Sequence, residues 1–345
     1  MRVGLVLGAG GVVGASWLIG ALEALEAETG WSPSSADRIV GTSAGSVIGT
    51  LTAARIPPAI LGAYASGRSL DGYADLELAA GIEIDVEEIE RDSPDRFRLA
   101  MALPPIGPGS WRMALNTLRN PLRHPPAAVI GGWLPRGVVC TSPIRRLIER
   151  FVPDGWPDGD QLRIVATDYR TGKRVCFGRK DAPEAGVADA VAASCAIPAF
   201  YHPVTIAGRR YVDGGLCSAS NLDLLCGEGL DVAICLNPMS SADKVRALTP
   251  SQRLAAAMRG WSGRRLEHEV GKLEAAGTQV IVLTPTAEDL AVMGTNLMSR
   301  KRRAEVTEQA ERSMARELRR RRGDLPNLTA PARRKKRGPA LKAAA

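Results

Sequence analysis

Two short motifs in the sequence carry a hydroxyl and a carboxylate that together could cleave an ester. The first, Gly41-Thr42-Ser43-Ala44-Gly45, matches G-x-S-x-G at the junction of a predicted strand and a predicted helix. Small residues around such a serine allow a sharp turn that projects its hydroxyl as a nucleophile. The alternative for this pattern is an ordinary turn in which the serine caps the following helix.

A serine nucleophile requires a base, and histidine is the usual one. The chain has three histidines: His124, His202 and His268. In an α/β-hydrolase the catalytic histidine follows the acid along the chain, at the end of a strand, and none of the three has this position. Asp213 is the alternative base, because it ends a predicted strand and precedes Gly214 and Gly215, which let another segment approach closely. A plain Asp-Gly-Gly turn without chemistry is the competing interpretation.

A glycine-rich turn follows the first predicted strand and precedes a predicted helix. Its glycines are Gly8, Gly10, Gly11 and Gly14. Backbone N–H groups in such a turn can hold a phosphate or an oxyanion. A dinucleotide fingerprint counted from Gly8 would need glycine at the position of Val13, so a nucleotide-dependent enzyme is the weaker hypothesis.

The hydropathy pattern predicts the elements that must position these motifs. The uncharged run over 3–22 is long enough for a membrane span or a signal peptide, but its glycines favour a strand, a turn and a helix. Strands alternating with helices predict an α/β sandwich with a largely parallel sheet. Strands are predicted at 3–7, 37–40, 162–167, 174–177, 203–206, 209–212, 231–236 and 278–283, and helices at about 11–28, 44–55, 143–151, 185–193, 249–276 and 287–322.

Composition and charge exclude several classes of protein. The 345 residues are 45% hydrophobic and 24% charged, values that argue against a wholly disordered chain or a multi-span membrane protein. The net charge of +8 comes from the end of the chain, since 12 basic and 3 acidic residues follow from Glu311 onward. With only 4% aromatic residues as well, we expect no nucleic-acid partner. Six cysteines without a C-x-x-C pair indicate reduced thiols in a cytoplasmic protein rather than a zinc or redox site.

The order of the three motifs resembles that of the patatin-like phospholipase family. Ala193-Ser194-Cys195-Ala196-Ile197-Pro198 and Ala166-Thr167-Asp168 add to the resemblance, which covers about residues 3–240. It implies a three-layer α/β/α sandwich and a serine lipid acyl hydrolase of the phospholipase or lysophospholipase type, with no cofactor or metal. It also implies a catalytic dyad of Ser43 and Asp213, an acyl-enzyme intermediate and an oxyanion hole from Gly10 and Gly11. The supporting motif residues would be Gly8, Gly14, Gly41, Gly45, Gly214 and Gly215.

The sequence departs from the family pattern at two positions of the glycine-rich turn. The family usually has a further glycine where this chain has Ala9 and a basic residue where it has Val13. Losing an oxyanion donor typically lowers turnover by about 10²–10³, although a backbone nest tolerates side-chain changes. We therefore expect an active enzyme, and a catalytically weak or inactive lipid-binding module is the alternative.

One domain is expected over residues 1–322, with a variable insert at about 60–137 and C-terminal helices over 249–322. A basic tail at 323–345 is expected to be disordered. The expected partner is a lipid ester substrate. Apolar and basic residues mix over 94–136, a pattern typical of an interfacial helix or of an insert packed on the core. Peripheral membrane contact through this insert and the basic tail is an added hypothesis.

Overall fold

The computed structural model describes residues 1–66, 107–119, 125–157, 159–243, 248–323 and 325–329. Much of the expected insert at 60–137, and most of the tail at 323–345, lie outside these residues. Within them the strands are β1 (Val3–Leu7), β2 (Arg38–Thr42), β3 (Leu162–Asp168), β4 (Arg174–Phe177), β5 (Val204–Ile206), β6 (Arg209–Asp213), β7 (Val232–Leu236) and β8 (Gln279–Leu283). The α-helices are α1 (Gly11–Thr29), α2 (Ala44–Ala53), α3 (Pro58–Ser66), α4 (Trp111–Arg119), α5 (Pro126–Trp133), α6 (Ser142–Phe151), α7 (Val187–Ser194), α8 (Pro250–Ala275), α9 (Ala287–Met293) and α10 (Arg303–Arg320).

The strands form one mixed sheet in the order β5-β6-β3-β2-β1-β7-β8, and β4 pairs with β3 beside this path. The five strands β1, β2, β3, β7 and β8 are parallel to one another. The pairs β3 with β4, β3 with β6, and β5 with β6 are antiparallel. The glycine-rich turn and the G-x-S-x-G motif therefore follow the carboxyl ends of two adjacent parallel strands, β1 and β2.

Helices cover both faces of the sheet because alternate residues of each strand enter different hydrophobic clusters. Leu5 and Leu7 pack with Trp17 and other residues of α1, whereas Val6 packs with Leu266 and other residues on the opposite face. Alternation of this kind is what a sheet buried on both faces requires. The α/β/α sandwich expected from the sequence is confirmed.

One edge of β3 is shared by two strands that approach it from opposite directions. Along β3, Val165 is the last residue that pairs with β2, and its partner is Thr42. The next residue of β3, Ala166, pairs with Asp213 of β6. The other edge of β3 is occupied by β4 over the same residues. Because β2 and β6 run in opposite directions along one edge, their carboxyl ends meet there.

The expectation of continuous helix over 287–322 is wrong. Helix α9 ends at Met293, where Gly294 adopts a positive φ of 65°, and α10 begins only at Arg303. The segment between them crosses the beginning of α1, where the Leu297 carbonyl accepts a hydrogen bond of 3.0 Å from the Val13 N–H. The break therefore serves a tertiary contact that local helix propensity does not reveal.

The strand, turn and helix expected at the start of the chain are confirmed by β1 and α1. In the part of the chain that the structure describes, no helix has both the length and the apolar character needed to cross a membrane. All six cysteines are free thiols, as expected.

Candidate active site

Ser43 occupies a strained turn between β2 and α2. Its φ of 52° and ψ of −122° lie outside the regions that non-glycine residues ordinarily adopt. Its side chain makes no capping hydrogen bond to α2, so the interpretation of Ser43 as a simple helix cap is wrong. Ser43 is also buried, with an exposed fraction of 4%. The turn thus presents the hydroxyl to the inside of the site rather than to its own helix.

The two glycines of the G-x-S-x-G motif are required by close backbone packing. A methyl group on Gly41 would lie 2.5 Å from the Gly45 carbonyl oxygen, and one on Gly45 would overlap the carbonyl of Leu7. Gly45 therefore brings the first turn of α2 against the carboxyl end of β1. This contact joins the serine turn to the beginning of the glycine-rich turn.

Asp213 lies beside Ser43 because β2 and β6 end against each other on β3. The Ser43 hydroxyl lies next to the Asp213 carboxylate and lowers its pKa. The backbone N–H of Gly215 donates a hydrogen bond of 2.7 Å to the same carboxylate. Asp213 therefore also organises the Asp-Gly-Gly turn.

Burial sets the proton affinity of Asp213. The carboxylate is 6% exposed, and loss of solvent raises the pKa of Asp213 to about 6. The hydrogen bonds from Ser43 and from the Gly215 N–H lower the pKa and offset part of this rise. Asp213 is therefore mostly ionised at neutral pH but is a stronger base than an exposed aspartate.

The glycine-rich turn places unpaired N–H groups at the beginning of α1. Gly10 is the N-cap of the helix, and Gly11 has a positive φ of 62°. Within the described residues, the backbone N–H groups of Gly10, Gly11 and Val12 donate to no protein acceptor. Gly10 is required for packing, because a methyl group there would lie 2.6 Å from the Cα of Gly14 and 3.0 Å from the Pro238 ring. The turn and the helix terminus can therefore receive a negatively charged oxygen.

The two departures from the family pattern have separate structural roles. Ala9 is not among the residues with positive φ, and its N–H donates to the Ala219 carbonyl at 2.8 Å. Alanine is accommodated there without strain. Val13 is 1% exposed and packs in the main hydrophobic cluster, so its side chain belongs to the core and not to the solvent-facing side of the turn. A methyl group on Gly215 would lie 3.4 Å from Ala9 Cβ, which brings the Asp213 turn close to the glycine-rich turn.

Neither of the two histidines that the structure describes is among the groups that act on Asp213. His202 Nδ1 is buried without a hydrogen-bond partner, and His268 is exposed on α8. His124 lies outside the described residues. Within the described part of the chain, no group of three or more His, Cys, Asp or Glu side chains is arranged to hold a metal ion.

Two buried residues that position the site were not identified from the sequence as functional. Ser194 accepts a 2.8 Å hydrogen bond from the Ser43 N–H and donates one of 2.6 Å to the Val165 carbonyl. Asn221, at a positive φ of 54°, donates 3.0 Å from its side-chain amide to the Thr42 hydroxyl. Ser194 lies in a motif that supported the resemblance, whereas Asn221 lies in a loop with no distinctive pattern.

Two solved structures resemble this chain at low sequence identity. No curated protein matches the sequence. Among solved structures, VipD from Legionella pneumophila has a TM-score of 0.40 and 14% identity, covering 92% of this chain and 67% of its own. The type III effector protein ExoU has a TM-score of 0.34 and 17% identity, covering 93% of this chain and 53% of its own. This chain thus spans about two thirds of VipD and about half of ExoU.

The family comparison covers most of the site. The sequence model of one protein family, described as patatin-like phospholipase, matches residues 5–225. These residues include the glycine-rich turn, the G-x-S-x-G motif and the Asp-Gly-Gly turn. Since this match extends over more than half of the chain, the protein belongs to the patatin-like phospholipase family.

Proposed function

We propose that the protein hydrolyses the fatty-acyl ester of a phospholipid or lysophospholipid, with Ser43 as nucleophile and Asp213 as base. The observation that carries the proposal is that the Ser43 hydroxyl, on its strained turn, lies next to the buried Asp213 carboxylate. The N–H groups of Gly10 and Gly11 beside this pair would form the oxyanion hole. Membership of the patatin-like phospholipase family supports a lipid ester as the substrate.

In the acylation step, the Ser43 Oγ attacks the ester carbonyl while its proton passes to Asp213. The carbonyl oxygen becomes the oxyanion of the tetrahedral intermediate and accepts hydrogen bonds from Gly10 and Gly11. Collapse of the intermediate breaks the bond to the alcohol, which takes the proton from Asp213. The acyl group then remains on Ser43.

In the deacylation step, water attacks the acyl-enzyme as Asp213 accepts one of its protons. The second tetrahedral intermediate uses the same N–H donors, and its collapse releases the fatty acid and returns a proton to Ser43. A base with a pKa of about 6 suits both the acceptance and the return of the proton. It is ionised at neutral pH, and it binds the proton of Ser43 or water more strongly than an exposed aspartate would.

Covalent labelling tests the nucleophile directly. A fluorophosphonate should label the intact protein at Ser43, and Ser43→Ala should abolish both the labelling and the turnover of a soluble acyl ester. Asp213→Asn should retain the fold and lose turnover by at least about 10³. Turnover that survives in either variant would overturn the dyad.

A lipid-binding module without hydrolysis is the second candidate. Its specific support is Leu297, whose carbonyl oxygen would lie 2.7 Å from a methyl group on Gly11 and so lies close over the glycine-rich turn. Ser43 that resists fluorophosphonate in a folded protein that still binds lipid would favour this candidate.

An exposed apolar surface beside the site supports membrane contact. Helix α4 carries Trp111 and Leu115, 58% and 48% exposed. Helix α5 packs on the turn that follows Asp213, since a methyl group on Gly131 would lie 3.0 Å from the Leu216 side chain. We name this the tryptophan surface; its large exposed side chains are Trp111, Leu115, Leu118, Ile130 and Trp133.

The charge around the tryptophan surface favours an anionic bilayer as its partner. The sequence has no aspartate or glutamate between Arg96 and Ile148, while Arg112 and Arg119 lie on α4 itself. Exposed tryptophans with basic neighbours are typical of interfacial binding. We propose that this surface rests on the membrane and brings the lipid ester to the site. The contribution expected of residues 94–106 and of the tail lies outside the described residues.

A further inference from the structure

A cavity lies near the glycine-rich turn, and Leu297 lies between the two. Its volume is about 230 Å³, and it lies between the first half of α8 and the segment that joins α9 to α10. Leu297 forms part of its wall and also accepts the hydrogen bond from the Val13 N–H. Met239 forms another part, directly after Pro238, which packs against Gly10. The cavity and the proposed oxyanion hole are thus separated by a single residue, Leu297.

The walls of this cavity are apolar and partly open to solvent. Besides Met239 and Leu297, they include Leu254 and Met258 of α8. Leu254 is 64% exposed and Met258 is 48% exposed, so neither side chain is covered by the described residues. Large apolar side chains left open around a cavity are suited to the hydrocarbon part of a ligand.

One cation, Arg259, lines this apolar cavity, and none of the described residues supplies it with a counter-charge. Arg259 contributes to the wall, and its Nε is buried with no hydrogen-bond partner. No ion pair within the described residues involves Arg259, and burial lowers the pKa of its guanidinium. Arg259 as a whole is half-buried, but a buried N–H without a partner is destabilising, and an anion that occupied the cavity would offset this cost. The guanidinium also has the planar donor geometry that a phosphate accepts.

We propose that the cavity at Arg259 binds the phosphate of a glycerophospholipid whose ester carbonyl lies in the oxyanion hole. This inference rests on the proposed lipid hydrolysis and assigns the substrate class. In such a lipid only the glycerol separates the phosphate from the ester, as only Leu297 separates the cavity from the glycine-rich turn. The apolar walls contact the glycerol and the beginning of the acyl chain. A free phosphate ion would leave this apolar part of the cavity unfilled.

The test compares two substrates that share an acyl chain and differ in the phosphate. Arg259→Gln should lower kcat/KM for a 1-acylglycerol phosphate by about tenfold or more, because a charge-assisted contact is lost. The same variant should leave kcat/KM for the matching monoacylglycerol unchanged. Arg253→Gln is the matched control, since Arg253 lies exposed on the same helix and outside the cavity. Equal effects of Arg259→Gln on both substrates, or equal effects of the two variants, would overturn the proposal.

Binding to the Ser43→Ala protein separates this inference from the proposed hydrolysis. Titration calorimetry with monomeric 1-acylglycerol phosphate should give a tenfold or greater loss of affinity when Arg259→Gln is added. Such a loss supports the site even if the intact protein turns over no ester, whereas unchanged affinity overturns it. Inorganic phosphate should bind far more weakly than the lipid, and comparable affinity for both would overturn the assignment to a lipid-borne phosphate. If Arg259→Gln lowers the melting temperature by more than a few degrees, Arg259→Lys replaces it, because an ammonium cannot form the two parallel bonds of a guanidinium.

Discussion

The hydroxyl of Ser194 accepts a hydrogen bond of 2.8 Å from the backbone N–H of Ser43 and donates one of 2.6 Å to the Val165 carbonyl. It thereby ties the strained turn at Ser43 to β3, the strand against which β6 places Asp213. The N–H of Ser43 has no helix carbonyl available to it at this turn, so the contact from Ser194 replaces one that regular structure would supply.

Ser194→Ala should therefore loosen the turn and reduce turnover. The change leaves a buried N–H and a buried carbonyl without partners, and we expect a loss of about 1–3 kcal/mol in the free energy of unfolding. Turnover of a soluble ester should fall by about tenfold or more through kcat, because the hydroxyl is mispositioned. Urea denaturation and steady-state kinetics measure the two effects. The matched control is Thr52→Ala, whose buried hydroxyl bonds only to the Ile48 carbonyl of its own helix; an equal kinetic loss in this control would contradict the prediction.

Gly45→Ala should be far more damaging than Gly49→Ala, although both glycines lie on α2. The added methyl at Gly45 would overlap backbone atoms of Leu7, which cannot move without displacing β1. At Gly49 the nearest atoms would be those of the Ile39 side chain at 3.1 Å and the Leu7 side chain at 3.5 Å, and the nearest backbone atom would be 3.9 Å away. We expect a loss of about 3 kcal/mol or more in unfolding free energy for the first, and a change within about 1 kcal/mol for the second. Similar thermal denaturation curves for the two variants would show that the turn does not depend on this close approach.

The pH dependence of activity should follow the ionisation of Asp213. Only the carboxylate accepts the proton of Ser43, so kcat/KM for a soluble ester should rise with pH through about 6 and level off above it. A pH profile between 4.5 and 8 measures this. A rise centred near 4 would indicate that Asp213 is solvated, and a rise centred near 7 or above would point to a different base.

The contribution of Asp213 to the free energy of unfolding should fall as the pH rises, whereas activity should increase. The folded-state pKa of Asp213 lies above the unfolded value, so its favourable contribution is complete below about pH 4 and is lost as the pH rises through about 6. Asp213→Asn removes the buried charge and should unfold at a higher temperature than the intact protein at pH 7, with a smaller difference at pH 4. Asp154→Asn, at an exposed position, is the control and should show no such pH-dependent gain.

Replacing both tryptophans of the tryptophan surface should weaken binding to anionic vesicles. Trp111 and Trp133 pack edge to face with ring centres 5.8 Å apart, yet both remain exposed. The double variant Trp111→Ala and Trp133→Ala should lose about tenfold or more in affinity for vesicles containing phosphatidylglycerol, measured by sedimentation, and should keep its turnover of a soluble ester. Leu248→Ala, at a side chain 69% exposed elsewhere, should bind vesicles normally. If the intact protein instead forms dimers that the double variant cannot form, the surface is an interface between copies of the chain.

Much of the architecture was predictable because its signals are local. The strands β1, β7 and β8 appear in the sequence as short apolar runs, and β1 and β4 match their predicted bounds at both ends. The turns between them contain glycines at positions where backbones meet, as at Gly41 and Gly45. For these elements, local pattern and tertiary packing require the same conformation.

What could not be predicted depends on contacts between distant parts of the chain. Gly294 signals that a helix can end shortly before Leu297, but it does not reveal the hydrogen-bond partner of Leu297, because Val13 is near the other end of the sequence. The shared edge of β3 is equally invisible, since it depends on two strands that stop one residue apart in register. Arg259 and its apolar cavity combine residues from three separate segments, and none of these segments has a motif.

The limits of the family match do not coincide with the limits of a stable folding unit. The match ends at residue 225, but the second neighbour of β1 is β7, and the Gly8 N–H donates to the Leu236 carbonyl at 2.9 Å. On one face of the sheet, Gly20 of α1 allows a close approach of the Thr307 backbone in α10. A fragment trimmed to the matched region would leave the central strand unpaired along one side and strip an apolar helix of its cover. Any minimal version of this protein should therefore retain the chain at least through Arg320.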